Sequence, residues 1–115
     1  MNGISRMETH LTHDNDAARV KLSGELDIHS SPDLRKTLLD LVDRKPPSIV
    51  VDLEAVTYID SSGLATLIEC MRGVKTYQGE LLLVGVNARI WPIFKLAGLD
   101  RVFDIRRSQP AGADS

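Results

Sequence analysis

Residues 50–64 read VVDLEAVTYIDSSGL. This stretch joins two kinds of patterning. The run over residues 48–53 (SIVVDL) is rich in β-branched residues and almost continuously apolar, the signature of a strand covered on both faces. Asp60, Ser61, Ser62 and Gly63 then supply the short polar residues that satisfy the free N–H groups at a helix start. Beyond them Leu64, Leu67, Ile68, Met71 and Val74 recur at intervals of three and four, one face of an amphipathic helix. A buried strand passing directly into such a helix is half of a parallel β-α-β unit.

The same alternation repeats outward. Downstream, Gly79 is expected to end the helix as its left-handed residue, and residues 80–86 (ELLLVGV) read as another buried strand. Residues 88–96 predict a short helix with Pro92 in its first turn, and residues 102–105 a last strand. Upstream, residues 18–26 (ARVKLSGEL) alternate, with Val20, Leu22 and Leu26 facing one way and Arg19, Lys21 and Ser23 the other. Residues 10–13 predict a short edge strand, turned through Asp14, Asn15 and Asp16 to pair antiparallel with it. Ser31 as N-cap, Pro32 in the first helical position and Asp33 open another helix, striped by Leu34, Leu38, Leu41 and Val42. Lys45, Pro46 and Pro47 stop it. The expectation is an α/β fold with a mixed sheet of four to five strands and helices mainly on one face.

At 115 residues the chain has room for one domain, expected over residues 9–105 between flexible segments at residues 1–8 and 106–115. A net charge of −2 and 4% aromatic content argue against a nucleic-acid surface, which carries a basic face or stacking rings. No apolar run approaches the length of a membrane span, and the single Cys70 cannot form an internal disulfide, so a reducing cytoplasm is expected. The remaining side chains do not assemble a catalytic centre. The G-x-S-x-G elbow is missing, because Asp60 stands two before Ser62. His10 and His13, three apart on a strand, point to opposite faces and suit no metal. His29 reads as a loop residue near Asp27, Cys70 as packing, and Trp91 as packing at a helix edge in preference to an interface anchor. No enzyme activity, metal or cofactor is expected.

The chemistry therefore rests on the Asp60–Gly63 stretch. A helix N-terminus carries about half a positive charge and tolerates anions, so a serine there can accept a phosphoryl group without unfolding the helix. Gly63 would leave the neighbouring backbone open to another protein's active site. The residues alone fit plain N-cap chemistry as well as a phosphosite.

Several blocks taken together resemble the STAS domain family: Gly24-Glu25-Leu26-Asp27, Pro32-Asp33-Leu34, Val51-Asp52-Leu53, Tyr58-Ile59-Asp60-Ser61-Ser62-Gly63-Leu64, and Phe94-Lys95-Leu96-Ala97-Gly98-Leu99 followed by Val102-Phe103. Their order and spacing are similar to its anti-sigma factor antagonist branch. The resemblance implies Ser62 as the phosphorylated residue, and Ser61 as its neighbour, shaping the loop or capping the helix. It implies Asp60 as the residue orienting the loop or the hydroxyl, and Asp27 as an acidic neighbour. It further implies an anti-sigma factor serine kinase and a serine phosphatase as partners, with a monomer or weak dimer. The family also holds accessory subunits of ABC-type lipid or solute transporters and chemosensory or stressosome components, which are the alternative readings.

Overall fold

The computed structural model describes residues 7–108. Five strands, β1 (Met7–Asp14), β2 (Ala17–Leu26), β3 (Ser48–Ile59), β4 (Glu80–Val86) and β5 (Asp104–Arg107), form one sheet in the order β1-β2-β3-β4-β5. The first pair is antiparallel, turned through Asn15 at a φ of 57°, and the other three are parallel. Helices α1 (Ser31–Asp43), α2 (Ser61–Lys75) and α3 (Trp91–Leu96) make the crossovers, and a 3-10 turn over Leu99–Arg101 precedes β5.

Because the strand order never reverses, right-handed crossovers deliver all three helices to the same face of the sheet. One core results. Ala18, Val20, Leu22, Ile49, Val51, Leu81 and Leu83 from the sheet meet Leu34, Leu38 and Leu41 of α1, Leu64, Leu67 and Val74 of α2, and Phe94 of α3. Val50 is buried too, but outside that cluster, since alternation turns it to the opposite face. The 48–53 run is thus not helix-covered on both sides, as its composition suggested. Among the described residues no helix packs on its second face.

Several local expectations are corrected. β3 extends to Ile59, because its pairing with β2 continues past register shifts at Lys21/Ser23 and Gly24/Glu25. After Leu53 its buried residues recur every third position, Val56 and Ile59, which no simple alternation reveals. Ser30 stands at the N-cap position of α1, not Ser31, and its hydroxyl serves the preceding loop, accepting from the Asp27 N–H and donating to the Glu25 carbonyl. At the end of α2 the left-handed residue is Gln78 (φ 62°), while Gly79 closes the turn by donating to the Val74 carbonyl at 2.7 Å. Asn87 begins the last crossover and shortens α3 to start at Trp91: its side-chain oxygen accepts from the Arg89 and Ile90 N–H groups. Its Nδ2 donates to the carbonyls of Leu53, Glu54 and Val56, pinning β4 to the irregular part of β3. β5 begins two residues late because the 3-10 turn uses the chain before it. The segments expected to be flexible overlap β1 at Met7 and Glu8 and β5 at Arg106 and Arg107. Residues 1–6 and 109–115 lie outside the described residues.

Gly63 places α2 against the sheet. A Cβ there would stand 2.9 Å from the Leu26 carbonyl oxygen and 2.9 Å from Ile59 Cγ1. Backbone at such a contact cannot rotate away, so overpacking outweighs alanine's higher helix propensity of about 1 kcal/mol. Gly63→Ala should lower unfolding free energy by about 1–3 kcal/mol, read by urea denaturation; an unchanged or raised midpoint would show that α2 is free to shift outward.

Candidate functional site

The candidate site lies at the carboxyl edge of the parallel strands, where β2 and β3 end side by side. The register pairs Leu26 with Ile59, which sets Asp27 and Asp60 at neighbouring strand ends, and the Asp60 N–H donates to the Leu26 carbonyl at 3.0 Å. Asp60 leaves β3 in an extended conformation (φ −115°, ψ −172°), as an N-cap residue does. Its Oδ1 accepts from the Ser62 N–H at 2.9 Å, the Gly63 N–H at 3.2 Å and the Ser62 hydroxyl at 2.6 Å. The cap of α2 is therefore Asp60, not Ser61. Ser61 is exposed beside it, and Ser62 is half-buried, with its carbonyl accepting from the Thr66 hydroxyl.

Burial pushes the Asp60 carboxyl up, but hydrogen bonds from the Ser62 hydroxyl and from the Gly63, Ser62 and Ile28 N–H groups outweigh it, holding the group below the usual carboxylate range. Asp60 is thus a carboxylate at neutral pH. The Ser62 hydroxyl donates to it, which leaves the oxygen's own lone pairs outside that bond. The arrangement suits a hydroxyl that receives an electrophile from another molecule. Among the described residues the hydroxyl's partner is this carboxylate and not a histidine.

Asp27 stands at the adjacent strand end, but its carboxylate is turned into its own loop. It accepts from the His29 N–H at 2.9 Å and the Ser30 N–H at 3.2 Å, an Asx turn that shapes the β2–α1 connection. His29 is an exposed residue of that turn. Gly63 does not leave an opening for a visitor: it is buried, and its missing side chain is filled by Leu26 and Ile59. The open ground belongs to Ile28 and Tyr58, 68% and 48% exposed, on the loop and strand flanking Asp60. Sequence reasoning passed over both. Ile28 has a visible signal, an apolar residue alone among Asp27, His29 and Ser30. Tyr58 is hidden by the irregular end of β3.

Elsewhere the polar chemistry is structural. Burial pushes the Cys70 thiol up to about 12, so it stays protonated and inert inside α2. Arg35 of α1 grips Glu69 of α2 through two 2.7 Å contacts, a bidentate pair outside the site. Trp91 packs against the core with the Arg107 guanidinium 4.6 Å above its ring. Among the described residues no three His, Cys, Asp or Glu side chains gather as a metal site, and no helix is long and apolar enough to cross a membrane.

Known proteins are similar to this chain in sequence and fold. The anti-sigma-B factor antagonist of Staphylococcus aureus is 35% identical over 80 residues, 70% of this chain and 74% of that protein. The crystal structure of an anti-sigma factor antagonist from Mycobacterium paratuberculosis superposes with a TM-score of 0.80 at 27% identity, covering 87% of this chain and 85% of that one. The phosphorylated form of SpoIIAA from Bacillus shares the fold, with a TM-score of 0.68 at 21% identity over 85% of this chain and 90% of that one. The model of the STAS domain matches residues 8–110. Because that match spans most of its length, this chain belongs to the STAS domain family.

Proposed function

We propose that this chain is an anti-sigma factor antagonist of the cytoplasm, a binding module and not an enzyme, switched by phosphorylation of Ser62. In its unphosphorylated form it docks on an anti-sigma factor serine kinase, which thereby releases its sigma factor. The kinase then modifies Ser62 and the complex dissociates, and a serine phosphatase restores the hydroxyl. The observation that carries this reading is the 2.6 Å contact between Ser62 Oγ and Asp60 Oδ1 in the first turn of α2, at the edge where Ile28 and Tyr58 are exposed. The relatives named as antagonists support the partner class.

The contact serves both directions of the switch. Before transfer, Asp60 fixes the hydroxyl and accepts its hydrogen, so Ser62 Oγ presents a lone pair to the γ-phosphorus of the kinase-bound nucleotide. After transfer the serine has lost that hydrogen and carries about −1.5 to −2 charges beside a carboxylate. A like-charge pair at about 4 Å is unfavourable by up to roughly 4 kcal/mol at an effective dielectric near 20. The helix dipole returns only about 0.3–1 kcal/mol. In the free protein water screens the difference, and the domain stays folded. Under a docked partner the water is gone and the penalty falls on the complex, where every 1.4 kcal/mol is about tenfold in affinity.

Three outcomes test this with the anti-sigma factor kinase of the same genome and radiolabelled ATP. Ser62→Ala should bind the kinase within a few-fold of the parent and take up no phosphate, whereas Ser62→Asp should bind about tenfold or more weakly while melting normally. Phosphate still entering Ser62→Ala at a single residue would place the acceptor elsewhere. Asp60→Asn keeps an oxygen to cap α2 but removes the charge, so transfer to Ser62 should slow and the phosphorylated variant should hold the kinase more tightly than the phosphorylated parent. Finally, a carboxyl held below its usual range in the folded state stabilises the fold above the unfolded value and loses that contribution as pH falls through the folded one. Thermal melts between about pH 7 and pH 2 should therefore show a smaller acid-induced loss for Asp60→Asn than for the parent, below about pH 4.

A further inference from the structure

The topology that gathers every helix on one face leaves the other face of four parallel strands bare among the described residues. Parallel sheets almost always have both faces covered. The register shows what lies there. One row across the sheet runs Thr12, Arg19, Val50, Leu82 and Asp104, and the next runs His10, Lys21, Asp52 and Val84. Leu82 and Val84 are half-buried and belong neither to the core nor to the residues packed on it. Over the four parallel strands the first row is thus a cation, two apolar side chains and an anion in order. Arg19 and Asp104 are exposed, and the only ion pair among the described residues is Arg35–Glu69, on the helical side.

We propose that this face is covered by the same face of a second copy, in a two-fold dimer whose axis runs along the strands between β3 and β4. Rotation about that axis exchanges left and right and preserves strand direction. It therefore sets Arg19 of each copy over Asp104 of the other, and Val50 over Leu82. The row is complementary to itself, which is what an isologous interface requires. Four strands about 4.8 Å apart and about six residues long give a footprint of ~400 Å² per chain, below the about 800 Å² per partner of a standard interface. The dimer is accordingly reversible, with a dissociation constant on the order of tens of micromolar or weaker. The strand ends of both copies point the same way, so both Ser62 loops stand open at one end, whatever their phosphorylation state.

Sedimentation velocity of the unmodified full chain, from about 10 μM to 1 mM, should show a rise from one to two chain masses. Arg19→Asp alone and Asp104→Arg alone should each weaken the dimer about tenfold or more, since symmetry breaks two ion pairs at once and opposes like charges. The double variant carrying both reversals restores complementary charge and should restore dimerisation. Leu82→Lys should abolish it, with circular dichroism confirming a folded domain. A monomer throughout the range, a dimer indifferent to both single reversals, or a double variant no better than the singles overturns the proposal. A monomer would mean that the face is solvated or covered by residues 1–6 or 109–115. None of these readouts depends on Ser62, so the dimer and the switch fail separately.

Discussion

One carboxylate oxygen holds the site together. Asp60 Oδ1 takes hydrogens from the Ser62 hydroxyl and from the Ser62 and Gly63 N–H groups, while the Asp60 N–H ties β3 to the end of β2 through the Leu26 carbonyl. The same residue therefore starts α2 and positions the Ser62 hydroxyl with its side chain, and links two strand ends with its backbone. Gly63 completes the junction by letting α2 sit directly on Leu26 and Ile59. In the proposed switch, structural and regulatory demands coincide at Asp60, whose negative charge would oppose any charge added at Ser62.

That junction depends in turn on a sheet whose strands follow in sequence order. With no reversal, every crossover falls on one side, so the core is single and the opposite face carries polar side chains around a small apolar strip. The carboxyl edge then becomes the place where loops, helix starts and exposed apolar residues meet. Ile28 and Tyr58 stand there beside a half-buried serine, a composition suited to transient protein contact. The rest of the polar inventory supports the scaffold. The Arg35–Glu69 pair couples α1 to α2, and Asn87 spans from β4 to three carbonyls of β3.

Amino-acid order alone was sufficient for the class of the fold, the helix stripes and the junction at Asp60, because these rest on local periodicity and on side chains that bond within a few residues. The apolar spacing of Leu34, Leu38 and Leu41, and the Asp-Ser-Ser-Gly helix start, are short-range patterns that survive in the linear chain. Tertiary packing decided the remainder. It extended β3 to Ile59 through pairing with β2, turned Gly63 from an opening into a buried contact, and gave capping to Asp60 while leaving Ser61 exposed. It folded the Asp27 carboxylate into its own loop and exposed Ile28 and Tyr58. The Asp60 cap and the Asp27 turn are short-range bonds that several residues of those loops could equally have made, whereas the length of β3, the packing of Gly63 and the exposure of Tyr58 depend on which residue of a distant strand lies opposite. That is a matter of register and twist, which residue spacing does not encode.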